Sequence, residues 1–100
     1  MADAPPEGEY RATLTIRNRL GLHARAAALL VQTSTQFDAE VSVSKDGQTV
    51  NGRSIMGIMM LAAEQGSSID VTTTGPQAEE ALEAIRGLVD ARFHEAGLDE

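Results

Sequence analysis

Apolar and polar residues alternate from Tyr10 to Arg17. Tyr10, Ala12, Leu14 and Ile16 fall on one side, and Arg11, Thr13, Thr15 and Arg17 on the other. That period of two predicts a half-buried strand. The period changes after Gly21. From His23 onward, Ala26, Leu29, Leu30, Thr33 and Phe37 recur at three- to four-residue spacing in an alanine-rich run, which predicts a helix. Ala39, Val41 and Val43 then alternate with Glu40, Ser42 and Ser44 in a second strand. Lys45-Asp46-Gly47 carries the Asp-Gly hairpin signal, and Gln48 to Asn51 forms a short third strand. Ser54 reads as the N-cap of a short helix bearing Ile55, Met56, Ile58, Met59 and Leu61, with Gly66 as its stop. Ser68 to Thr74 is a fourth strand, with Ile69, Val71 and Thr73 on one face. After Gly75, Pro76 suits the first turn of a long amphipathic helix. Its stripe is Ala78, Ala81, Leu82, Ile85, Leu88 and Val89.

The predicted order is strand, helix, strand, strand, helix, strand, helix. Each strand has one apolar face, so the sheet needs a single cover and the helices should share one side, an α+β arrangement. One hundred residues suit one small domain. Residues 1–8 are small, acidic and proline-rich and read as a disordered extension. The domain then runs from 9 to 97, with 98–100 as a fraying tail. Only 3% of residues are aromatic, so Leu, Ile, Val, Ala and Met must fill the core. The lack of cysteine excludes disulfides, thiolate metal sites and a cysteine nucleophile, and is compatible with a cytoplasmic location. The N-terminal residues lack the pattern of a secretion signal. No run approaches the ~18 apolar residues of a membrane span, so no membrane insertion is expected.

The net charge is −7, which argues against nucleic acid as a partner. Its distribution is more informative. Tyr10 to Phe37 holds no acid but four arginines, and Gly47 to Ala63 holds no acid and one. These two stretches sum to +5 and the remainder to −12. A locally positive face on an acidic chain would attract an anion or the acidic surface of a partner. Exclusion of acids from buried elements would give the same pattern.

The candidate chemistry lies in Asn18 to Arg25, N-R-L-G-L-H-A-R. His23 opens a helix whose first amides, those of Ala24, Arg25 and Ala26, lack intrahelical partners. The helix dipole disfavours imidazolium there and favours a bound anion. A neutral imidazole is a nucleophile, and its attack on phosphorus would give a phosphohistidine. Arg25 and the free amides would stabilise the added charge, and Asn18 is placed to orient the ring or touch the phosphate. Spacing alone equally allows an ordinary surface N-cap histidine. His94 is the only other histidine, and no spacing joins the two into a metal site.

G-L-H-A-R after a strand, followed later by R-S-I-M-G-I-M-M-L, closely resembles the HPr family of histidine-containing phosphocarriers of the phosphotransferase system, over roughly residues 9 to 97. The resemblance implies an open-faced sandwich, with a four-stranded antiparallel sheet in order 1-4-2-3 and three helices on one face. It implies phosphorylation of His23 on Nδ1 by enzyme I, with phosphoenolpyruvate as original donor, and transfer to an EIIA-type acceptor domain. Arg25 takes the family's phosphate-binding position, and Asn18 falls where some members carry a polar group near the ring. Ser54 takes the regulatory serine position, which would bring in an HPr kinase/phosphorylase. Leu22, Ile55, Met56 and Met59 would form a small docking patch. The chain would then act as a monomeric carrier without cofactor, its partner enzymes supplying the catalysis. Where family members usually carry proline after the arginine, this chain has Ala26, which restores an amide donor and removes a rigid ring. A non-phosphorylated interaction module using the same face is the alternative, as is a small-ligand regulatory domain. His23 argues against the first, which needs no nucleophile.

Overall fold

The computed structural model describes residues 8–95. The elements are β1 (Glu9–Thr15), α1 (Ala24–Ser34), β2 (Glu40–Lys45), β3 (Gln48–Asn51), α2 (Ile55–Met60), β4 (Ser68–Thr74) and α3 (Ala78–Asp90), followed by a 3₁₀ turn, Arg92–His94. The sheet is antiparallel in the order β1-β4-β2-β3. Its central pairs are apolar on the inner face: Leu14 lies opposite Ile69, and Val43 opposite Val71. These residues are buried with Ala26, Ala27 and Leu30 of α1, Ile58 of α2, and Leu82, Ile85, Leu88 and Val89 of α3. The outward residues Thr13, Thr15, Glu40, Ser68 and Asp70 stay exposed. The sheet is therefore open on one side and covered on the other, as the one-sided alternation requires.

Several boundaries differ from the sequence reading, each for a local reason. Helix α1 ends at Ser34, short of Phe37: Ser34 Oγ donates back to the Leu30 carbonyl, and Phe37 lies half-buried in the following loop. The buried stripe of α1 uses Ala27 and Ser34 in place of Leu29 and Thr33. Helix α2 stops at Met60 rather than near Gly66, because Ala62 takes a left-handed conformation, φ 52°. Gly66 instead turns the chain into β4, donating to the Ile16 carbonyl. Pro76 precedes α3 without entering its first turn, since Gln77 is the N-cap and braces the Asp38 amide with Oε1. Gly8 is part of the fold, its carbonyl accepting from Gly75 N–H. The rest of the expected 1–8 extension, the end of the 9–97 domain and the 98–100 tail lie outside the described residues.

Two connections fix the turn before α1. Leu22 N–H donates to the Ala63 carbonyl at 2.9 Å, and Ile16 N–H to the Ser67 carbonyl at 2.8 Å. Gly21 lies between them at φ 68°, where a Cβ would overlap the Ala63 carbonyl oxygen. Left-handed backbone costs an L-residue about 1–2 kcal/mol, and the overlap adds to that. Gly21→Ala should therefore lower the unfolding free energy by at least about 2 kcal/mol in urea melts. A loss below about 0.5 kcal/mol would mean the turn is freer than drawn.

Candidate functional site

His23 is the N-cap of α1, with φ −75°, ψ −177° and no side-chain capping bond. Its carbonyl accepts the first helical hydrogen bond, from Ala27 N–H at 2.8 Å. The amides of Ala24, Arg25 and Ala26 thus lie ahead of the helical ladder. Ala24 and Arg25 are exposed and His23 is half-exposed, whereas Ala26 is buried. The Arg25 guanidinium has no hydrogen bond or ion pair among the described residues. Among the described residues, a half-exposed imidazole, the leading amides of the exposed Ala24 and Arg25 and an unpaired cation therefore share one helix end, a setting suited to an anion.

Among the described residues the ring has one hydrogen-bond contact: Nδ1 lies 3.0 Å from the Gly21 carbonyl oxygen. A carbonyl only accepts, so the neutral ring in this contact carries its proton on Nδ1 and its lone pair on Nε2.

Asn18 sits beneath this turn and is wholly buried. Its Nδ2 donates to the Gly21 carbonyl at 2.8 Å and to Glu95 Oε2 at 2.7 Å. With both hydrogens engaged and no exposed surface, the side chain is not available to a phosphoryl group. Its link to the ring is indirect, through the Gly21 carbonyl that both share. Oδ1 is buried without a partner among the described residues.

Glu95 closes the arrangement. Only 7% exposed, it accepts from Arg19 N–H on Oε1 at 3.0 Å and from Leu20 N–H on Oε2 at 3.1 Å, besides Asn18. Sequence reasoning missed it, because an acid near a chain end carries no motif. The available clue was Phe93, which extends the Leu88–Val89 stripe beyond α3 and is buried.

At the second helix start, Ser54 caps α2: Oγ accepts from Gly57 N–H at 2.9 Å. The neighbouring Arg53 is held by the Phe37 and Ala39 carbonyls. Of the expected docking residues, Ile55, Met56 and Met59 are exposed, Met56 to 72%. Leu22 is not: at 4% exposure it belongs to the core, drawn inward where its amide bonds Ala63. Leu20 (52%) and Met60 (63%), next to the two helix segments, are exposed apolar residues that the sequence-based patch left out, and Tyr10 on β1 is a third. Among the described residues no cluster of ligands fits a metal ion, and no helix is long and apolar enough to cross a membrane.

Burial raises the Glu95 carboxyl. The hydrogen bonds from Asn18 and from the Leu20 and Arg19 amides, with the nearby His23 charge, outweigh it and hold the group below its usual 4.5. The folded carboxyl binds its proton less tightly than the unfolded one. Its stabilisation is therefore complete above the unfolded value and is lost as pH falls through the lower folded one. Urea melts of wild type and Glu95→Gln should differ at neutral pH and converge in acid. A gap that stays constant on acidification would mean that the charge contributes nothing.

The sequence model for the "PTS HPr component phosphorylation site" matches residues 10–91. The chain is 48% identical over 81 residues to phosphocarrier protein HPr of Cupriavidus necator, covering 81% of this chain and 91% of that protein. The crystal structure of HPr from Thermoanaerobacter tengcongensis superposes with a TM-score of 0.83 at 43% identity, over 86% of this chain and 97% of that one. HPr from Bacillus anthracis gives 0.79 at 47% identity, over 83% and 99%. With one family spanning nearly the whole domain and the same open sheet in its solved structures, the chain belongs to the HPr phosphocarriers of the phosphotransferase system.

Proposed function

We propose that His23 accepts a phosphoryl group from phosphorylated enzyme I, originally from phosphoenolpyruvate, and passes it to EIIA-type acceptor domains in the cytoplasm. The supporting observation is the half-exposed imidazole at the start of α1, beside unpartnered amides and the unpaired Arg25. Transfer breaks a P–N or P–O bond to the donor and forms a P–N bond to His23. The added charge then meets the Arg25 guanidinium and the amides of Ala24 and Arg25, both exposed residues. Attack through Nδ1, the family's nitrogen, requires the proton to move to Nε2 and the ring to turn off the Gly21 carbonyl. Ala26 in place of proline restores an amide, but the residue is wholly buried and adds no donor surface for the anion. Leu20, Ile55, Met56, Met59 and Met60 offer the apolar surface on which both partners dock, and methionine lets one surface fit several shapes.

Incubation with phosphoenolpyruvate and enzyme I should add one acid-labile phosphoryl group to the wild type and none to His23→Ala. Labelling of that variant at the wild-type level would exclude His23. Arg25→Ala should fold normally and accept phosphate about 10- to 150-fold more slowly, the equivalent of one charge-assisted hydrogen bond.

Ser54 is the second modification site of this reading, regulated by an HPr kinase/phosphorylase. Its hydroxyl already caps α2, so a phosphate there adds charge at a helix start without disturbing the fold. Ser54→Asp should retain the cap and the melting temperature, yet bind enzyme I more weakly, most clearly at low salt. Equal affinity at two ionic strengths would leave Ser54 with its capping role alone.

A further inference from the structure

The Asn18–Gly21 turn is held from below by a residue 72 positions beyond His23 in the sequence. We infer that Glu95 is a positioning residue for His23: by taking the Arg19 and Leu20 amides and the Asn18 side chain, it aims the Gly21 carbonyl at His23 Nδ1 and so sets which ring nitrogen carries the proton at rest. The inference rests on the reading of His23 as the acceptor and adds a residue that acts on it through another group.

Three observations support it. First, a buried carboxylate needs several donors, and Glu95 has three, all from this turn. Second, Asn18 is oriented by the two acceptors its Nδ2 serves, while its own Oδ1 goes without a partner. An unpaired buried acceptor is destabilising, so the contacts to Glu95 and Gly21 must outweigh that penalty. Third, the segment that delivers Glu95 is strained. Arg92, Phe93 and His94 have φ of 56°, 52° and 56°, a left-handed run that L-residues avoid. Burial of Phe93 and the bonds of Glu95 hold that run in place.

The chain of contacts then reads directly onto the ring. Glu95 orients Asn18, Asn18 donates to the Gly21 carbonyl, and that carbonyl takes the His23 Nδ1 proton. Loosening the clasp lets the Gly21 carbonyl turn to solvent, and the ring reverts to the Nε2–H tautomer favoured by free imidazole side chains in water.

The test is a long-range ¹H–¹⁵N spectrum of the full chain at about pH 9, well above the ordinary histidine range near ~6.5. His23→Ala identifies the signal. Wild type should show a protonated Nδ1, and Glu95→Ala should lower the Nδ1–H to Nε2–H ratio by about 3- to 10-fold, as loss of one ordinary hydrogen bond allows. Glu95→Gln should resemble Glu95→Ala, since its amide presents hydrogens to donors. A folded Glu95→Ala with the wild-type ratio would overturn the assignment. Should that variant fail to fold, Glu95→Asp decides: its shorter carboxylate should lower the ratio, and an unchanged ratio overturns the inference. No partner enzyme enters this measurement. Acid-labile labelling of the wild type tests the acceptor role separately, so either reading can fail without the other.

Discussion

Leu14, Val41, Val43, Ile69 and Val71 present a single apolar sheet face, and α1, α2 and α3 together cover it. The rest of the molecule depends on this one-sided burial. With only 3% aromatic residues the cover is made of small and branched side chains. Ala26 and Ala27 let α1 approach closely, which brings its N-terminus to the end of β1. The turn before α1 is consequently short, and it is bounded by backbone bonds to Ala63 on one side and Ser67 on the other. The imidazole stands where a helix begins because the core requires the chain to turn there.

Electrostatics then divide the surface. The stretches around the two helix starts contain no acid, while the remainder of the chain carries a large negative excess. Glu95, which brings a carboxylate to the turn, is buried and spent on amides rather than displayed. Arg25 thereby remains the outward charge beside His23, while Arg53 is occupied by two carbonyls. Local positive character at the site survives the proximity of an acid because that acid is turned inward and saturated.

Period and turn chemistry made most of the architecture legible. The alternation in β4, the Asp46-Gly47 hairpin and the full stripe of α3 appear where the sequence places them, whereas β1 ends at Thr15, short of Arg17, and leaves Tyr10 exposed. Ser54 caps α2 as its position before an apolar run predicts. What could not be read depends on long-range packing. Leu22 has the same local setting as Leu20, and only the bond to Ala63 sends one inward and leaves the other out. Asn18 looks like a polar residue waiting for a ligand until Glu95 arrives to occupy it. No local rule predicts three consecutive left-handed residues after α3. The helix start at His23 was legible because helix-end physics is local, whereas the support beneath it is not.

The clasp between Asn18 and Glu95 also orders the events of synthesis. The contact closes across 77 positions, and β1 pairs only with β4. A chain emerging from the ribosome presents His23 early, yet β1 has no strand to join until β4 follows. With the sheet complete, the bonds to Ala63 and Ser67 already bound the turn, but the contacts beneath it close only when Glu95 has emerged. The support under His23 is therefore completed late, although the turn itself is encoded near the beginning. A nascent chain carries His23 long before it carries the clasp beneath it.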